Sequence, residues 1–407
     1  MTSLADTPAA RRRPPTAPID RPVAWGAALA LAAFAAVVSE VAGTKHAALV
    51  LIGGALGAVL YHAAFGFTGG WRQLIVHGRG AGMRAQCLTI AIAAVPFAAM
   101  FAWGSPLGHG VWGSVGPLGV SVAVGGFLFG AGMQLGGGCG SGTLFTVGGG
   151  NMRMVLTLAF FILGSLIGTA HMPFWLSLPH AGWMTWTDVT GSALGGLAAP
   201  LVGLALVALA TVWWERRRHG RLVSSIATAG EAPGQRLVDR MLRGPWPLVW
   251  GAVLLAALNA LTLAVAGHPW AITSGFALWG AKIASTVGVD VASWPYWQNR
   301  AGSLEASILN HTISVMNFGL ILGAMLAAGL AGKWNPSLKI PFRSLLAAAI
   351  GGLMMGYGAR LGFGCNIGAM VGGIASGSLH GWLWLATAFV GSMLTIPLRP
   401  RWFGLGN

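Results

Sequence analysis

Apolar runs of membrane-crossing length, set apart by short gaps that hold most of the charge, constrain this chain more than any other feature. They fall at 22–43, 47–66, 83–103, 118–137, 152–172, 192–214, 247–267, 308–331, 343–361 and 379–397, ten in all, with a weaker stretch containing Lys282 at 270–287. A hydrocarbon core of about 30 Å takes about 20 apolar residues per helix, so each run can span it. Only 8% of the residues are charged and 55% are hydrophobic, whereas soluble domains carry about 25% charge. That leaves too few charges to cover a water-facing surface, and soluble folds are excluded. The expected class is an all-α polytopic membrane protein with about ten transmembrane helices, some of them re-entrant or broken.

The 24 Lys and Arg against 9 Asp and Glu give a net charge of +15. In a soluble protein this would suggest a nucleic-acid partner. Here the basic residues lie in the tails and short loops, where Lys and Arg fix which loops stay in the cytoplasm, so no nucleic acid is implied. Residues 1–21 are polar, Pro-rich and basic, a disordered tail ahead of an N-terminal transmembrane helix, 22–46. Two transmembrane halves, 47–214 and 247–407, are joined by 215–246, the one long polar segment inside the chain. With that linker and the tail in the cytoplasm, Arg72, Arg79, Arg84 and Arg153 also face inward, while 104–117 and 173–190, which contain no Lys or Arg, face out. Lys333, Lys339, Arg343, Arg399 and Arg401 follow the same rule only if 270–287 enters and leaves on one side. That stretch therefore reads as re-entrant, and both termini as cytoplasmic.

The halves also repeat one another. GFLFGAGMQLGGGCGSGT (126–143) lies over GLMMGYGARLGFGCNIGA (352–369) without a gap, with eight identities in eighteen, Cys139 and Cys365 among them. A weaker echo pairs FGFTGGW (65–71) with WAITSGF (270–276), aligning Thr68 with Thr273. One cysteine segment follows an inward-running span and the other an outward-running one, so the halves are expected to be inverted repeats. Glycines crowd both segments, and each costs about 1 kcal/mol against Ala inside a helix, so the helices should break there. Broken helices at membrane depth are tolerated where they line a cavity, and inverted pairs tend to meet near the midplane around a substrate. Their free N–H groups can hold an anion. Cys87, Cys139 and Cys365 show no paired or metal-ligand spacing, so neither a disulfide framework nor a metal or cofactor site is indicated. Arg360, five residues before Cys365, is a charge inside a membrane helix, which is costly and by default functional; it is suited to drawing an anion toward the path.

FGAGMQLGGGCGSGT, MGYGARLGFGCNIGA and FTGGWRQ resemble the three signature segments of the YeeE/YedE family of bacterial inner-membrane proteins, the sulphur transport family, from about residue 47 to 400. The resemblance implies a multi-pass protein of the bacterial inner membrane, not an enzyme, that takes up thiosulfate through a narrow central path where cysteines contact the ion through S–H donors. Cys139 and Cys365 sit on two of the family's three functional cysteines. With the repeats, this gives a path lined by Cys139, Cys365, Gly138, Gly140, Ser141, Gly364, Asn366, Thr68, Thr273, Gly66 and Arg360. The family's first segment resembles RFCLTGG, whereas this chain reads AAFGFTGG, with Gly66 at the cysteine's position; a thiol expected at the entrance is missing. The family's usual nine spans also gain the 22–43 helix. Expected partners are a small sulfur-containing anion, membrane lipid and a cytosolic sulfur carrier protein. Two other classes stand beside transport: a membrane-embedded thiol oxidoreductase or sulfurtransferase in which Cys139 and Cys365 form a persulfide or disulfide, and a structural subunit in sulfur or selenium delivery. Against the former, neither cysteine has a carboxylate or His beside it in sequence, and thiolate activation wants a base or cation nearby.

Overall fold

The computed structural model describes residues 18–226 and 237–406. Residues 1–17 of the expected tail and 227–236 of the expected linker lie outside the described residues. The first half contains α1 (Arg21–Ala42), α2 (Thr44–His62), α3 (Phe67–His77), α4 (Ala81–Trp103), α5 (Val120–Gly136), α6 (Gly140–Gly148), α7 (Met152–Ser177), α8 (Trp186–Thr190) and α9 (Ala193–His219). After α10 (Leu237–Arg243), the second half contains α11 (Leu248–Ala266), α12 (Thr273–Thr286), α13 (Pro295–Gln298), α14 (Ala301–Glu305), α15 (Thr312–Leu330), α16 (Phe342–Leu361), α17 (Gly373–Ala375), α18 (Leu379–Thr395) and α19 (Leu398–Phe403). A π-helical segment, Asn366–Gly372, joins α16 to α17. The only strands among the described residues, β1 (Pro117–Gly119) and β2 (His180–Trp183), pair antiparallel.

Nine helical segments among the described residues are long and apolar enough to cross a bilayer. The chain is an all-α polytopic membrane protein. The tenth expected run, 379–397, folds as the 17-residue α18 followed by a turn. Helix boundaries follow capping chemistry. Asp20 accepts from the Val23 N–H at 3.3 Å ahead of Pro22, and Ser192 accepts from Gly195 at 3.0 Å to start α9. That helix ends with Arg216, Arg217 and Arg218 in its last turn, then Gly220 in the left-handed region, so cations meet the negative end of the dipole and glycine takes the turn at no steric cost.

Lipid offers helices no hydrophobic drive to associate, so close van der Waals packing through small residues must hold them. Gly125, Gly132, Gly136, Gly351 and Gly358 let α5 and α16 touch backbone to backbone, and a Cβ at Gly351 would fall on the backbone of Gly136. Gly53, Gly57, Gly319 and Gly323 do the same for α2 against α15. Ser121, at the start of α5, donates to the Leu361 carbonyl at the end of α16, while Gly136 at the other end of α5 faces Gly351. Equivalent helices of the two repeats thus run antiparallel, and the halves are inverted.

Two faces of the bundle can be told apart. On the linker face, Glu215 is fully buried and accepts from Arg84 Nη1 at 2.9 Å, from Gly80 N–H at 3.1 Å and from Ser224 N–H at 2.6 Å, which ties the beginning of the linker to α4. On the far face, Ser114 donates to the Gly368 carbonyl and Ser378 bridges to Thr185. The 270–287 stretch enters and leaves on this face. From Gly267, whose carbonyl accepts from Trp112, the chain turns back until the Trp270 N–H reaches Asn259 Oδ1, inside α11, and α12 then runs out again. Its counterpart α3 behaves the same way from the linker face: the His62 carbonyl accepts from the Trp246 N–H, and Gly78 at the far end of α3 sits against Arg218.

Candidate functional site

Four short helices begin inside the protein: α3 after Gly66, α6 after Cys139, α12 after Ile272 and the π segment after Cys365. Gly137, at φ +94°, and Gly364, at φ +149°, make the breaks ahead of the two cysteines, conformations a side chain would strain. Each thiol then caps the helix it opens. Cys139 Sγ accepts from the Gly142 N–H at 3.5 Å and meets Ser141 Oγ at 3.4 Å; Cys365 Sγ accepts from the Ile367 N–H at 3.4 Å. The two N-termini face each other, since a Cβ at Gly140 would lie 3.1 Å from Cys365 Sγ and 3.5 Å from Ile272 Cγ2. Gly140 is therefore the spacer that lets α6 approach the second cysteine and the beginning of α12. A helix N-terminus carries about half a positive charge, so three such ends are pooled at one place.

Most of the residues expected in the path sit here, and they are buried. Cys139, Cys365, Ser141, Asn366, Thr68, Thr273 and Arg360 are all at most 7% exposed, and Gly138 and Gly364 are buried beside their cysteines. Both polar atoms of Asn366 lack a hydrogen-bond partner, as does Thr68 Oγ1. Buried polar groups are nearly always paired, so orphans clustered at helix N-termini mark a place for a polar guest. Three residues that the sequence did not single out join them: Thr143 Oγ1, Gln134 Oε1 and Asn317 Oδ1 are equally unpartnered. Gln134 donates to the Thr68 carbonyl at 3.4 Å and Asn317 to the Ile272 carbonyl at 3.0 Å, so both hold the beginnings of re-entrant helices. The signal for Gln134 was available, because the repeat alignment places it opposite Arg360. Asn317 shares α15 with two other polar residues, Thr312 and Ser314, and only its contact shows what it does.

Gly66 stands apart from the cysteines. It borders a cavity of about 320 Å³ with Gly69, Gly70, Gln73, Arg79 and Ser224, on the linker face. The position expected to carry an entrance thiol thus opens on the linker face. The repeat pattern alone could not tell which re-entrant helix opens on which side. Cys87 is buried on α4. Among the described residues no group of His, Cys, Asp and Glu is arranged to hold a metal ion.

A multi-pass helical protein with inverted halves, four inward-starting half-helices and a buried polar centre belongs to the architecture of secondary transporters and channels. The Sulphur transport family pattern matches residues 62–394, and the chain belongs to that family. It is 28% identical over 275 residues to the "Thiosulfate transporter TsuA" of Spirochaeta thermophila, covering 64% of this chain and 72% of that one. The Escherichia coli "Thiosulfate transporter TsuA" is 23% identical over 350 residues, 84% of this chain and 91% of that one. The Escherichia coli "Probable transporter YedE" is 32% identical over 162 residues, 39% of this chain, and the match spans 37% of that protein's length.

Proposed function

We propose that this protein carries a small sulfur-containing anion, thiosulfate or a close relative, across the bacterial inner membrane, with the linker and both termini in the cytoplasm. The anion passes between Cys139 and Cys365, flanked by Gly138, Gly140, Ser141, Gly364, Asn366, Thr68, Thr273 and Arg360, and leaves past Gly66. The observation that carries this reading is the convergence of thiol-capped helix N-termini on unpartnered, fully buried amide and hydroxyl groups. Helix ends and Arg360 attract negative charge, amides and hydroxyls replace the water around its oxygens, and S–H groups suit a soft terminal sulfur. No bond to the substrate is made or broken. The family and the names of the TsuA relatives point the same way.

Growth of a bacterial mutant unable to assimilate sulfate, on thiosulfate as sole sulfur source, tests this directly. Expression of the wild-type chain restores growth and gives uptake of labelled thiosulfate, recovered chemically unaltered inside. Failure on every sulfur anion of a panel, or release of an altered product, would refute transport.

A further inference from the structure

The repeats superpose Gln134 on Arg360 and Thr68 on Thr273, and the structure keeps both pairs together. Gln134 Nε2 donates to the Thr68 carbonyl at 3.4 Å, while Arg360 Nη2 donates to Thr273 Oγ1 at 2.8 Å. The geometry is thus nearly symmetric and the charge is not. Arg360 is 7% exposed, and its Nε has no partner. Its remaining hydrogen bond, from Nη1 to Tyr296 Oη at 3.3 Å, is again to a neutral oxygen. Among the described residues no carboxylate lies within ion-pair distance of it. The guanidinium also sits at the N-terminus of α12, the positive end of that helix, where a cation is disfavoured. Buried charges in folded proteins are almost always paired.

We propose that Arg360 and the N-terminus of α12 form a one-sided station for an oxyanion on the far-face half of the path, and that the neutral Gln134 at the equivalent place lets the anion go on the linker side. This rests on the transport reading and deepens it: the missing counter-ion of Arg360 is the cargo. A guanidinium fork matches the oxygens of a sulfur oxyanion, while Cys365, five residues on, opens the helix whose thiol meets its sulfur. Tyr296 links the station to the surface. Its hydroxyl touches Arg360, and the exposed Arg300 stacks on its ring at 4.3 Å. Arg300 is a cation on the face that the basic-loop asymmetry keeps poor in cations, consistent with a collecting role rather than a topological one.

The test is thiosulfate titration by calorimetry on the purified full-length protein in nanodiscs, beside uptake in cells. Arg360→Gln, which makes the two halves alike, raises Kd about ten- to hundredfold, the scale of a lost charged hydrogen bond, and Arg360→Lys recovers part of it. Gln134→Arg does the reverse, lowering Kd and also lowering maximal uptake, because the anion is now held on both sides. Arg300→Gln raises the half-saturation concentration without changing maximal uptake, and the effect fades at high salt. Wild-type Kd in Arg360→Gln, with wild-type uptake intact, overturns the station alone. Absence of both binding and uptake in the wild type overturns the transport reading along with it. Should Arg360→Gln fail to fold, Gln134→Arg decides: unchanged Kd and unchanged maximal uptake overturn the station.

Discussion

Replacing each cysteine by alanine separates what the thiols do for the fold from what they do for an anion. Cys139 and Cys365 each cap a half-helix through a sulfur 3.4–3.5 Å from a backbone N–H, a weak version of a cap that is worth about 0.5–2 kcal/mol when made by oxygen. About 0.5 kcal/mol is a fair share for sulfur. Both side chains are at most 1% exposed, and losing one buried heavy atom costs about 1 kcal/mol in transfer and void terms. Cys139→Ala and Cys365→Ala should each lose about 1.5 kcal/mol of stability, which a bundle of this size tolerates. For transport, the lost S–H contact is worth at most about 1 kcal/mol, and loosening the charged helix end adds about 0.3–1 kcal/mol. Together these predict a loss of up to about thirtyfold in thiosulfate uptake at equal amounts of folded protein. Serine at either site restores the cap and an O–H donor but not the soft sulfur, so uptake recovers only in part. Cys87→Ala removes a similarly buried atom on α4 and should leave uptake alone. Monodisperse yield by size exclusion, with initial uptake rates normalised to it, reads both effects. If all three alanine variants lose folded protein and uptake in parallel, the thiols are packing groups and the reasoning is wrong.

Four further outcomes follow from other parts of the structure. A reporter fused after Arg221 should read as cytoplasmic and one near Gly110 as periplasmic; the opposite result would invert the path and place Gly66 at its entrance. Gly351→Ala drives a methyl group into the Gly136 backbone and should cost at least about 1–3 kcal/mol, seen as reduced detergent-stable yield, whereas alanine at the unobstructed Gly69 should be mild by the same measure. Arg84→Gln strands the fully buried Glu215 carboxylate, a loss of about 3–5 kcal/mol for a buried pair broken on one side; adding Glu215→Gln should recover part of the yield, and no recovery would count against the pair. A Cβ at Gly66 meets nothing closer than 3.8 Å, so Gly66→Cys should fold normally. It should raise thiosulfate uptake severalfold at most, the limit for one weak hydrogen bond, and an unchanged or lower rate at matched expression would show that a thiol there contributes nothing.

The class of this protein is legible in its apolar runs, because their length and the scarcity of charge reflect the bilayer and need no partner elsewhere in the chain. The repeat is legible too. Eighteen residues matched across 226 positions carry the same glycines wherever the same backbone break is made, so the broken helices at Cys139 and Cys365 were legible before any contact was known. The re-entrant reading of 270–287 came from charge counting alone, and α12 bears it out. How these pieces meet depends on the packing of the whole bundle. That Gly140 rests against Cys365, that Gln134 and Asn317 hold the first turns of α3 and α12, and that Gly66 opens toward the linker rather than away from it all depend on which helices pack together, and glycine contacts leave too little pattern in a sequence to specify a partner. The charge on Arg360 was visible from the start. Its lack of a counter-ion was not, because a missing partner is a property of the space around a residue and becomes defined only when every neighbouring helix is in place.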